Sequence, residues 1–205
     1  MKVLMINGSP HAKGNTFTAL NEVGKALLEE GIEYEIMNIG SVAIRGCVAC
    51  KSCSKEGKCV FDDPVNIAAE KLKDCEGLVI GSPVYFASAN GNLISFLDRL
   101  FVSAQCDKTM KVGAAVSAAR RSGITATFDQ LNKYFTISGM PIASSVYWNG
   151  IHGATPGESE QDAEGLLTMR TLGKNMAFLI KAIAEYKGKN GLPEKEPTIK
   201  TNFIR

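Results

Sequence analysis

Four of the six cysteines crowd into one short segment, CVACKSCSKEGKC, as Cys47, Cys50, Cys53 and Cys59. Two successive C-x2-C steps let three thiolates face one centre from a compact loop. Gly57 lets the chain turn back to deliver the fourth. In a reducing compartment, thiols clustered this way are metal ligands or redox groups rather than disulfides. The residues alone admit an iron–sulfur cluster, a zinc ion, or a thiol-rich loop without metal. Zinc sites more often split into two separated C-x2-C pairs. Lys51, Lys55 and Lys58 offset part of the charge of a thiolate-ligated centre, or are ordinary surface lysines. Cys75 and Cys106 lie apart and read as buried apolar residues at helix ends.

A second chemistry stands at the start of the chain, where KVLMINGSPHAKGNT runs from Lys2 to Thr16. An apolar strand stops at Asn7-Gly8-Ser9-Pro10, and small polar residues lead into a helical pattern. The first turn of a helix leaves backbone N–H groups unpaired, and its dipole adds partial positive charge, so this junction suits an anion. It is not a Walker A loop: five residues separate Gly8 from Gly14, and Asn15 stands where lysine is required. No G-x-G-x-x-G is present there either. What remains is Ser9, Gly14, Asn15 and Thr16, with His11 and Lys13 beside them, a set that fits a terminal phosphate monoester. A capped turn with no ligand uses the same residue types.

Two further loops add to the same edge. Pro83-Val84-Tyr85-Phe86 sets aromatic and apolar side chains where a flat ring would lie, and Asn90-Gly91 lets backbone approach closely. The same residues also suit an apolar patch that packs on a partner chain. Ala118, Ala119, Arg120 and Arg121 form the third loop, with small residues, free backbone N–H groups and two cations. Cations at a helix start oppose the dipole, which favours a functional role for at least one of them. His152 is the one histidine of the loop 149–157, a candidate proton donor or a structural residue. No Ser–His–Asp arrangement is visible, and hydrolase chemistry has no support.

These loops must be held by strands. Short apolar runs at Lys2–Ile6, Tyr34–Ile39, Gly77–Gly81, Lys111–Ser117 and Pro141–Trp148 alternate with helical patterns. The helices are expected over Asn15–Glu30, from Asp63-Pro64, from about Asn92, over Ile124–Ser138 and over Ser159–Tyr186. Strict alternation predicts an α/β doubly wound five-stranded parallel sheet, with ligands at the carboxyl ends of the strands. One domain spans residues 1–187 and carries the cysteine-rich loop 45–62. A tail over residues 188–205, ending in Phe203 and Ile204, is expected to dock on the domain or on a partner subunit.

Composition narrows the class. The chain has 205 residues, 45% of them hydrophobic, and a formal charge of +2. That balance is ordinary for a globular protein and too neutral for nucleic acid. No apolar run approaches the ~18 residues of a membrane span. The short N-terminal run is no signal peptide, which predicts a cytoplasmic protein.

The segments GSPHAKGNT, GSPVYFASANGNLISFLDR and DQLNKYFTISGMPIASSVYWN resemble the NADPH-dependent FMN reductases of the flavodoxin superfamily, over nearly the whole chain. The resemblance implies a flavodoxin-like fold of strand order 2-1-3-4-5 with FMN as cofactor and NAD(P)H as electron donor. Matched motif by motif, it assigns Ser9, His11, Asn15 and Thr16 to the phosphate. Pro83 to Phe86, with Asn90 and Gly91, would line the isoalloxazine. The cysteine segment also resembles the compact motif of the iron–sulfur flavoproteins, which holds a [4Fe–4S] cluster. The implied function passes electrons from reduced nicotinamide through flavin to a small-molecule or protein acceptor, with the flavin carrying the chemistry. The alternative is a non-enzymatic electron carrier reduced by a ferredoxin-like partner. The aromatic loop and the tail predict a homodimer or homotetramer.

Overall fold

Alternation along the first strand divides the core in two. In β1 (Lys2–Asn7), Val3 and Met5 point to one face of the sheet, and Leu4 and Ile6 to the other. The computed structural model describes residues 1–201, 203 and 204. After β1 come α1 (Asn15–Glu29), β2 (Glu33–Asn38), the one-turn α2 (Cys53–Glu56) and α3 (Pro64–Lys73). They are followed by β3 (Gly77–Tyr85), β4 (Ser88–Ala89), α4 (Gly91–Ser103), β5 (Val112–Ala119) and α5 (Ile124–Ile137). Strand β6 (Gly150–His152) and α6 (Ala163–Asn190) complete the fold.

The parallel sheet runs β2-β1-β3-β5-β6, with β4 folded back antiparallel onto the end of β3. Leaving that two-residue ribbon aside, this is the expected order 2-1-3-4-5. Helices α1 and α6 cover one face with Leu20, Val23, Leu27, Met169, Leu172 and Met176. Helices α3, α4 and α5 cover the other with Leu72, Phe96, Leu100, Leu131 and Phe135. Glycine in the left-handed conformation at Gly31 closes α1, and the Ile32 N–H reaches Leu27 O at 2.9 Å. Among the described residues no helix is long and apolar enough to cross a membrane.

Two boundaries differ from expectation in ways that matter. Strand β3 continues past Gly81 to Tyr85, which carries the aromatic loop out on a strand. The run Pro141–Trp148 does not form a continuous strand. It makes one bridge, with Gly113 N donating to Pro141 O and Ala143 N to Gly113 O. The chain then leaves the sheet, because the buried Asn149 side chain donates to Ala115 O at 3.0 Å, in the place of a ladder N–H. Val146, Tyr147 and Trp148 are thereby exposed, and the true edge strand starts only at Gly150. The tail runs over the surface with Phe203 and Ile204 largely exposed, and Lys195 pairs with Asp107 at 2.9 Å. Asn202 and Arg205, the rest of the expected tail, lie outside the described residues.

Candidate functional site

The loop after β1 is fixed from below by asparagines. Asn7 accepts from Ser9 N at 3.1 Å and donates to Asn38 at 2.8 Å. Gly8 N donates to Gly81 O, and Asn90 Nδ2 donates to Gly8 O at 2.8 Å. Ser9 Oγ accepts from His11 N at 3.2 Å, and Asn15 Oδ1 accepts from Ser159 N at 3.3 Å. The loop is thus held by the protein's own hydrogen bonds.

Above it lies a cavity of about 270 Å3. Ser9, His11, Gly14, Asn15 and Thr16 line it from the first loop, and Pro83, Val84 and Tyr85 from the second. Ala118, Ala119 and Arg120 line it from the third. Eleven residues from three distant segments therefore meet at one place. At its floor α1 starts from Gly14 with no side-chain cap hydrogen bond and no acidic residue in its first turn. By contrast α3, α4 and α6 are capped by Asp63, Asn90 and Asp162. An uncapped helix start, free of acids and facing a cavity, is a receptor for an anion.

Phe86, Asn90 and Gly91 do not reach the cavity wall. Asn90 is buried as the cap of α4 and the tie to Gly8. Phe86 and Ala87 form the tip of the β3–β4 hairpin, both with positive φ, and Phe86 is fully exposed. A two-residue turn of this hand ordinarily takes Asn-Gly, so the tip is strained. Gly123 packs against it: a Cβ there would stand 3.0 Å from Ala87 Cα. A fourth wall, Gly153, Ala154 and Pro156, was not anticipated from sequence. Its only signal is the small-residue run after His152. His152 Nε2 donates to Arg121 O, 3.2 Å away, and the ring lines an adjoining cavity of about 460 Å3 with Arg121, Tyr147 and Trp148.

The cysteine segment forms a separate site against α4. Cys47, Cys50, Cys53 and Cys59 all line one cavity of about 240 Å3, together with Arg99 and Ser103. Ala49 and Lys51 take the left-handed conformation, and Gly57, likewise left-handed, closes α2. All four thiols are free, and among the described residues no three His, Cys, Asp or Glu side chains are gathered to hold a metal ion. The cavity nevertheless suits a thiolate-ligated centre in two respects. The buried Ser103 hydroxyl lies in its wall without a partner among the described residues. Arg99 also turns two N–H groups onto Cys59 Sγ, at 3.2 and 3.3 Å. Hydrogen bonds from Ser52 hold the Cys50 thiol below its ordinary pKa. Cys75, by contrast, is buried in the core and pushed up by that burial, as expected of a structural cysteine. Cys106 packs on the same core.

Residues 1–154 match the model of the NADPH-dependent FMN reductases. The chain belongs to that family. An iron–sulfur flavoprotein of Methanocaldococcus jannaschii is 35% identical over 191 residues, covering 89% of this chain and 99% of the relative. One from Methanosarcina thermophila is 26% identical, covering 92% and 100%. Among solved structures, an NAD(P)H:quinone oxidoreductase from Methanothermobacter marburgensis superposes with a TM-score of 0.65 at 16% identity, covering 86% of this chain and 96% of that one. A flavodoxin from the domain Archaea gives 0.59 at 16% identity, covering 88% and 99%. These two establish the flavodoxin-like fold of this family member, and the family makes its chemistry flavin-based redox.

Proposed function

We propose that the chain is an FMN-dependent NAD(P)H oxidoreductase with a [4Fe–4S] cluster on its cysteine loop. The observation that carries the flavin assignment is the uncapped, acid-free start of α1 at the floor of a cavity walled by loops from four strands. Backbone N–H groups of Asn15 and Thr16, with the hydroxyls of Ser9 and Thr16, receive the phosphate. The Thr16 methyl lies against Gly81, which fixes its side chain: a Cβ on Gly81 would be 3.0 Å from it. Pro83, Val84 and Tyr85 flank the ring, and Ala118 and Ala119 present small side chains so that backbone approaches it. Arg120 supplies positive charge where reduction adds negative charge. FMN held by these residues would supply hydride and single-electron transfer between reduced nicotinamide and an acceptor. The adjoining cavity, with Tyr147, Trp148, Arg121 and His152, receives the nicotinamide donor or a small acceptor.

Cys47, Cys50, Cys53 and Cys59 hold the cluster, which supplies one-electron transfer. Its support is the shared cavity, the unpartnered Ser103 hydroxyl and the name borne by the relatives. Both sites ride on α4: Asn90 caps it beside the flavin cavity, and Arg99 lies about 13 Å along it at 1.5 Å per residue. The exposed Phe86, Tyr147 and Trp148 beside the flavin cavity support assembly into a homodimer or homotetramer.

An ultraviolet–visible spectrum of anaerobically purified protein, with iron and acid-labile sulfide counted, tests the reading. Flavin bands with about four irons and four sulfides per chain are expected. Zinc, or no metal, removes the cluster and leaves the flavin assignment standing. A second reading, an electron carrier, is favoured by the same cysteine cavity. Flavin reduction by a ferredoxin-like protein, with NADH and NADPH both inert, would establish it over the enzyme.

A further inference from the structure

Arg99 is buried to 1% exposure on α4, in the middle of an apolar helix face between Phe96 and Leu100. Its guanidinium is fully spoken for. Nη1 and Nη2 fork onto Asp63 at 2.5 and 3.0 Å, and Nη1 also donates to Arg45 O at 3.2 Å. Nε and Nη2 donate to Cys59 Sγ, and the guanidinium carbon lies 5.0 Å from the centre of the Phe61 ring. Asp63 alone would have neutralised the cation. The two bonds to sulfur are additional, and from a charged donor they are strong only toward a sulfur that carries negative charge.

Cys59 is also held at its backbone. Asn66 Oδ1 accepts from Cys59 N at 2.9 Å, and Asn66 Nδ2 donates to Cys59 O and to Phe61 O, each at 3.0 Å. Cys47 and Cys50, on the outer side of the cavity, are exposed. The four cysteines are therefore unequal: Cys59 is a fixed inner corner, and Cys47 and Cys50 lie on more open chain.

We infer that Arg99 is a positioning residue for the cysteine site, fixing Cys59 as its anchoring ligand and raising the reduction potential of the centre through its two N–H···S bonds. The inference rests on the cluster reading above. One-electron reduction, from reduced flavin in the protein or from dithionite in the cuvette, adds one negative charge at the cysteines and moves no proton. Donors aimed at a ligand sulfur stabilise that added charge, and hydrogen bonds to sulfur are among the determinants of cluster potential. Asp63 sets how much of the Arg99 charge is left for the sulfur.

Two variants move the potential in opposite directions. Arg99→Lys keeps a cation for Asp63 but loses the planar fork that reaches carboxylate and sulfur together. Asp63→Asn keeps the α3 cap, since Asn caps as well as Asp, and removes the competing charge. Each is purified anaerobically, its iron and sulfide counted, and the reduced centre followed by electron paramagnetic resonance in a redox titration. Arg99→Lys is expected to lower the reduced-to-oxidised ratio at a fixed potential about tenfold, a shift of about 59 mV for one electron. Asp63→Asn is expected to raise it. A merely structural Arg99 would change thermal stability and leave both potentials at the wild-type value. Full iron in Arg99→Lys with the wild-type potential overturns the inference alone. If Arg99→Lys loses its iron, Asp63→Asn decides: a rise supports the inference and no change overturns it. Wild-type protein without iron and sulfide overturns the cluster reading and this inference together.

Discussion

Gly40→Ala is expected to weaken FMN binding about 100-fold while leaving the sheet intact. Gly40 follows β2 and lies flat against the loop after β1. A Cβ there would stand 2.2 Å from the carbonyl carbon and oxygen of Ser9 and 2.5 Å from Gly8 O. All three are backbone atoms, so no flexible side chain can give way. The loop must move by about an ångström, and a displacement of that size at a binding site costs on the order of a hundredfold. Overpacking should also cost about 1–3 kcal/mol of stability. Quenching of FMN fluorescence on titration reads the first effect and thermal unfolding the second. Gly91→Ala is the matched control, because its added methyl meets nothing within 4 Å. A folded Gly40→Ala protein that binds FMN like wild type would mean that the Ser9 loop does not set the site.

The largest stability effect is expected from Arg99→Met. Methionine fills much of the arginine volume but removes the partner of Asp63, whose side chain is only 18% exposed. Breaking a buried pair from one side costs roughly 3–5 kcal/mol, mostly for the charge left behind. For a chain of this size that lowers the midpoint of thermal unfolding by roughly 6–20 °C. The double variant Arg99→Met with Asp63→Asn leaves no lone charge and should recover a large part of the loss. If the single variant melts within a degree or two of wild type, Asp63 has found water or another cation, and the pair is not buried in the sense used here.

The contrast between these two glycine and arginine positions shows what the sequence carries. Ser9, Asn15 and Thr16 were readable because a strand, a small-residue loop and a helix start are adjacent in the chain. So were Pro83 to Tyr85, because they extend a run buried on both faces. Gly40 was not readable. Its constraint comes from Ser9, which reaches it only through the parallel pairing of β1 with β2, where Asn7 lies opposite Asn38. Arg99 stands on the helix face that Leu93, Phe96, Leu97 and Leu100 make within LISFLDRLF, and a charge on that apolar face was a signal of a buried partner. Its partners Asp63 and Cys59 lie 36 and 40 residues away, so only the fold reveals them. Pro141–Trp148 misleads for a different reason. Its β-branched and aromatic residues suit a strand, but the sheet bond they would make is taken by the Asn149 side chain.

Helix α4 joins the two sites in one rigid piece. Asn90 at its start holds Gly8 under the cavity after β1, and Asn92 Nδ2 donates to the carbonyls of Ile39 and Gly40. Arg99, further along, holds Cys59. The cysteine loop and the loop after β1 are therefore held by the same helix.

The account stands on the phosphate at the start of α1, and one comparison tests it directly. Wild-type protein freed of flavin, with Ser9→Ala and Thr16→Ala variants that remove the two hydroxyls, is titrated with FMN and with riboflavin, which differ only in the phosphate. Wild type should bind FMN far more tightly than riboflavin. The variants should lose affinity for FMN by about tenfold or more, one charge-assisted hydrogen bond being worth roughly 1.5–3 kcal/mol, and leave riboflavin nearly unchanged. Equal losses for the two flavins, or a wild-type protein that does not prefer FMN, would contradict it.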